Sequence, residues 1–127
     1  MFHYTVETIK TPEQAIAELT NQLKEEQFGI LWQFNMKDKL HEKGVELDIN
    51  YHILEVCNPV EAKRVLTENT LVGYFLPCKL VVYQENETTK IGMPRPSALI
   101  GLIENSEMMK IASDIENRLI ACVEKSK

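Results

Sequence analysis

Tyr51-His52-Ile53-Leu54-Glu55-Val56-Cys57-Asn58-Pro59-Val60-Glu61 is the stretch on which the fold turns. Residues 51–57 read as a strand built of β-branched, aromatic and aliphatic side chains. Asn58-Pro59-Val60-Glu61 then reads as a helix start. Asn58 is the cap, Pro59 suits the first turn, and Glu61 is placed to close a capping box. Strand therefore gives way to helix within a residue of Cys57, and that helix runs to about Glu68-Asn69.

Upstream, His3 to Ile9 alternates in the manner of an edge or half-exposed strand. Thr11-Pro12-Glu13-Gln14 is another capping box, opening a helix whose Ala15, Ile16, Leu19 and Leu23 recur at helical spacing. Gly29 is expected to end that helix. Ile30 to Met36 reads as a strand with Ile30, Trp32, Phe34 and Met36 on one face, and Trp32 is assigned to the core. A short polar helix, 37–43, is stopped by Gly44. Downstream of the central stretch, an irregular segment, 70–77, leads into a strand from Cys78 to Gln84. Glu85-Asn86-Glu87-Thr88 turns it back into a shorter strand, 89–93. Pro94 and Pro96 break the chain, a short helix follows over 97–103, and Ser106 is expected to cap the last helix. Met108, Ile111, Ala112, Ile115, Leu119 and Cys122 form its buried stripe. This order predicts an α+β fold: a single two-layer domain over residues 1–127, with a mainly antiparallel sheet of about five strands and helices packed on it.

Composition narrows the function classes. A chain of 127 residues is of single-domain size. Its 44% hydrophobic and 26% charged residues are those of a globular protein. The net charge is −5, and Lys63-Arg64 is the only adjacent basic pair. Nucleic acid is thereby disfavoured as a partner, since phosphate backbones need clustered cations. No apolar run is long enough to span a bilayer. The N-terminus has no basic segment followed by a long apolar one, so the three cysteines read as reduced thiols of a cytoplasmic protein. No glycine-rich phosphate loop lies between any strand and its helix.

Two tripeptides carry the candidate chemistry: Cys57-Asn58-Pro59 and Leu76-Pro77-Cys78. Cys57 precedes a helix start, whose partial positive charge lowers the pKa of a nearby thiol and attracts anions. Cys57 and Cys78 are thus candidate ligand-binding or metal-binding residues, or small apolar residues at the strand edges. If their strands are antiparallel neighbours, both lie at one end of the sheet. If the crossover is parallel, they lie about 15–20 Å apart and share nothing. No zinc-site spacing is present, and no cofactor is indicated. Asn58 is a candidate through its helix start, and Arg95, held on the Pro94–Pro96 turn, is a candidate contact for a small anionic ligand. His52 is separated from Cys57 by an odd spacing, which puts the two on opposite faces. Glu55 shares the face of Cys57, where its charge would raise the thiol pKa. Cys122 belongs to the stripe of the last helix.

The run from Ile53 to Pro59, with Ala62, Leu66, Gly73, Leu76-Pro77-Cys78 and Val81-Val82-Tyr83, resembles the bacterial and archaeal domain-of-unknown-function family numbered 302. The match is densest over residues 36–99. The resemblance implies a small α+β fold and a homodimer, and no known activity. Gly92-Met93-Pro94-Arg95-Pro96 departs from the family pattern, which has a longer glycine-containing hairpin there. The functional expectation is a ligand- or partner-binding homodimeric module without catalysis. The alternative is a thiol-dependent redox, sulfur-handling or soft-metal-binding protein using Cys57, with or without Cys78.

Overall fold

A computed structural model describes all residues, 1–127. The elements are β1 (His3–Thr8), α1 (Pro12–Glu25), β2 (Gly29–Asn35), α2 (Met36–His41), β3 (Tyr51–Cys57), α3 (Pro59–Glu68), a 3₁₀ segment (Thr70–Phe75), β4 (Cys78–Glu85), β5 (Thr88–Pro94), α4 (Pro96–Ile100), a short 3₁₀ turn (Gly101–Ile103) and α5 (Ser106–Ser126). The sheet has five strands in the order β1-β5-β4-β3-β2, and every pairing is antiparallel. The α+β expectation therefore holds, and β3 and β4 are antiparallel neighbours despite the helix between them.

One face of the sheet carries the core. Leu54, Val56, Leu80, Val82, Ile91 and Met93 are buried there with Leu19 and Leu23 of α1 and Met108, Ala112, Leu119 and Val123 of α5. The other face, alternating with these residues, carries no helix. Tyr51 and Tyr83 stack across it with ring centroids 4.9 Å apart. Ile53 lies opposite Val81, and Glu55 opposite Lys79.

Trp32 belongs to this bare face, not to the core: it is 66% exposed. A register shift between Ile30 and Trp32 is the cause. Ile30 pairs with buried Val56, but Trp32 pairs with Glu55, so the extra residue turns the rest of the strand over. Met36, expected on the same strand face, begins α2.

Three local expectations are also corrected. α1 ends at Glu25, and Gln27, at φ 65°, makes the left-handed step expected of Gly29. The N–H groups of Phe28 and Gln27 donate to the carbonyls of Leu23 and Lys24, closing a Schellman motif. α5 is capped by Asn105, whose Oδ1 accepts from the N–H groups of Glu107 and Met108, and Ser106 is its first residue. Glu61 leaves the capping box of α3 open because its carboxylate faces two arginines, Arg64 at 3.4 Å and Arg118 at 3.8 Å.

Candidate functional site

The ends of β3 and β5 and the start of β4 lie along one edge of the molecule. Val56 stands opposite Cys78, and Glu55 opposite Lys79. Val81 pairs with Gly92, which brings Pro94 and Arg95 to the same end. The four sequence candidates, Cys57, Asn58, Cys78 and Arg95, therefore gather at this end, but they do not form one cluster of free groups.

Asn58 is 5% exposed and fully engaged. Its Oδ1 accepts from the N–H groups of Val60 and Glu61 at 3.1 and 3.2 Å, and its Nδ2 donates to the Glu26 carbonyl at 3.4 Å. Arg95 is engaged as well. Its N–H donates to the Phe2 carbonyl and its Nε to the His3 carbonyl. Its guanidinium lies 3.7 Å from Glu116 and 6.0 Å from the centre of the Tyr4 ring. Asn58 keeps no free group for a ligand, and the Arg95 guanidinium is oriented by Glu116 and the His3 carbonyl.

The cysteines line a common small crevice with Asn58, Glu61 and Leu76. Burial pushes the Cys78 thiol up to about 11, with the neighbouring Cys57 adding to the shift. Burial also raises Cys57, opposite in direction to the lowering expected from the helix start, and the charge of Glu55 is not a cause. Both thiols are therefore held protonated near neutral pH, unlike activated nucleophiles. Cys122 is buried in α5, and its Sγ contacts the Gln22 carbonyl at 3.5 Å. All three cysteines are free. No group of three or more His, Cys, Asp or Glu side chains gathers anywhere. His52 sits at the far end of β3 from Cys57, with its Nε2 buried and without a hydrogen-bond partner.

The cavity at this end is the feature that sequence reading missed. It has a volume of about 310 Å³ and lies between the 3₁₀ segment, the starts of β4 and α4, and α5. Val65, Val72, Ile100, Met108, Ala112 and Leu119 form its inner wall; all are core residues. Tyr74, at 82% exposure, and the exposed Lys79 mark its mouth. Cys78 and Pro77 line it too, and the Leu76–Pro77 peptide bond beside them is cis. The α4 wall is anchored from below by a second missed residue. Glu116 is 8% exposed, and its Oε1 accepts from Ser97 N and Ser97 Oγ at 3.0 and 2.6 Å. Cavity walls come from segments scattered between residues 55 and 119, so no local spacing announces them. Mostly apolar concavities of this size are the usual form of small-molecule sites.

The domain of unknown function DUF302 matches over residues 3–126. No curated protein matches the sequence. Among solved structures, the crystal structure of an uncharacterized conserved protein DUF302 from Bacillus stearothermophilus is similar. It is 56% identical, with 100% of this chain and 99% of that chain covered and a TM-score of 0.97. With the match spanning nearly every residue and the same architecture throughout, the chain belongs to the DUF302 family.

Proposed function

We propose that this protein is a non-catalytic, cytoplasmic homodimeric module that binds a small ligand in the cavity beside Cys78. The carrying observation is the cavity itself: about 310 Å³ of space walled by core side chains at the end of the sheet where β3, β4 and β5 converge. Catalysis has little support there. The cysteines are pushed towards their neutral forms, and the nearest buried carboxylate, Glu116, is committed to Ser97 and Arg95. The thiol-dependent reading rests on Cys57 and Cys78 sharing a crevice, and their raised pKa values weigh against it.

The homodimer is supported by the bare sheet face. Trp32, Tyr51, Ile53, Val81 and Tyr83 present a contiguous aromatic and aliphatic surface there, and such surfaces mark association sites. Its charges occur with both signs, Glu55 beside Lys79 and Glu85 paired with Lys90. A two-fold interface sets the same patch of both subunits against each other, and a patch with charges of both signs avoids the repulsion a single-sign patch would meet there. Three free cysteines agree with a reducing compartment. The net charge of −5 argues against nucleic acid. No helix is long and apolar enough to cross a membrane.

Fluorescence with the neutral two-ring dye 1-naphthylamine tests the ligand site. Saturable binding of one dye per protomer is expected. Absence of any saturable binding contradicts the reading.

A further inference from the structure

We infer that the ligand of this cavity is an uncharged, predominantly apolar molecule of about ten to fifteen non-hydrogen atoms. The inference rests on the cavity being the ligand site and adds the chemistry of the occupant. Size sets the first bound. A volume of about 310 Å³ is roughly the space of ten liquid waters. Such a space suits a medium-length aliphatic chain or a two-ring aromatic.

The wall sets the second. Val65, Val72, Ile100, Met108, Ala112 and Leu119 offer carbon and one thioether, with no charged group and no hydroxyl. A charged head placed among them would lose its hydration without gaining a partner.

Charge at the mouth sets the third. Glu55 and Lys79 are the only charged residues lining the cavity, and they stand opposite each other in the strand register, so their signs cancel. The nearby guanidiniums that would recognise a carboxylate or phosphate do not line the cavity, and each faces a carboxylate of its own. Arg95 is bound by Glu116 and the His3 carbonyl. Arg118 is bound by Glu26, Glu61 and Asp114, with its Nη2 donating to the Glu26 carbonyl. Lys79, exposed at the mouth, is the one cation lining the cavity, so a small anion, the occupant suggested by Arg95 and the start of α3, finds no cation among the inner-wall side chains. An uncharged molecule carrying at most one hydroxyl fits, its polar end at the Glu55–Lys79 mouth and its apolar body against α5.

Displacement of bound 1-naphthylamine by decanol, decanoate and decylammonium near neutral pH tests this on the unaltered protein. Decanol is expected to displace the dye about tenfold more tightly than either ion. Equal or tighter displacement by decanoate or decylammonium overturns the inference while leaving the ligand site standing. Failure of the dye to bind at all overturns the site instead. Lys79→Gln is expected to change decanol binding by less than about twofold, and a selective loss of decanoate binding larger than that would show a carboxylate read by Lys79. Leu99→Trp, which fills the wall from a half-exposed position, is expected to weaken decanol about tenfold by calorimetry; unchanged affinity in a folded variant places the ligand elsewhere.

Discussion

Asn58 and Arg118 converge on one oxygen, the backbone carbonyl of Glu26. Asn58 Nδ2 donates to it at 3.4 Å and Arg118 Nη2 at 2.9 Å. Through this acceptor the end of α1, the start of α3 and the middle of α5 are fixed relative to one another. The Arg118 guanidinium also lies 5.3 Å from the centre of the Phe28 ring. The asparagine of the Cys-Asn-Pro tripeptide is thereby explained as a joint, not as a ligand contact.

Asn58→Ala removes a helix cap and a buried side chain–backbone hydrogen bond together, and is expected to cost about 2–3 kcal/mol in urea unfolding. Asn58→Asp keeps the cap and loses the Nδ2 donor, so a smaller loss is expected. A stability within about 0.5 kcal/mol of the parent for the alanine variant would contradict the joint.

Glu116→Leu leaves Ser97 N, Ser97 Oγ and Arg95 without their shared acceptor at a buried position. The expected cost is about 2–4 kcal/mol by denaturant unfolding. Decanol affinity is expected to fall with it, because α4 forms one wall of the cavity.

Cys78 makes stability depend on alkaline pH. The folded state holds its proton up to about 11, whereas the unfolded chain releases it near the ordinary value of 9.0. Between these values the unfolded chain binds fewer protons, so the contribution is whole below pH 9.0 and is lost as pH rises to about 11. Cys78→Ala is expected to flatten that part of the stability profile, measured by thermal unfolding across the window. An unchanged slope would place its origin in another group.

The β4–β5 hairpin turns through Asn86 at φ 52° and Glu87 at φ 67°. Both central residues are left-handed, as a type I′ turn requires, and glutamate is a poor occupant of the second. Glu87→Gly is expected to raise stability by about 0.5–1 kcal/mol, the conformational gain exceeding the added flexibility of the unfolded chain. A destabilised variant would show that Glu87 makes a contribution beyond its backbone.

Trp32→Ser and Ile53→Lys alter the bare sheet face without touching the core. Light scattering is expected to show a dimer for the parent and a monomer for Ile53→Lys, with the variant still cooperatively folded. A monomeric parent at high concentration would remove the dimer from the account.

Much of the fold was legible because its signals are local. The β3–α3 junction falls where Asn58-Pro59 puts it, β3 spans Tyr51–Cys57 as read, and the Glu85–Thr88 turn joins two strands. Trp32 was misplaced because a one-residue bulge inverts a strand without changing its alternation. Gln27 and Asn105 supply the caps expected of the nearby Gly29 and Ser106, since propensity alone does not choose between neighbouring candidates. The gathering of Cys57 and Cys78 hung on strand direction, which a connection of this length leaves open. The cavity had no signal at all, because an unfilled volume is a property of packing between distant segments.

Methyl chemical-shift mapping during a decanol titration tests the central claim most directly. The account predicts saturable shifts for Leu99, Ile100, Met108 and Leu119 around the cavity, and none for Ile53 and Val81 on the bare sheet face. Shifts confined to Ile53 and Val81, or no saturable shift anywhere, would contradict it.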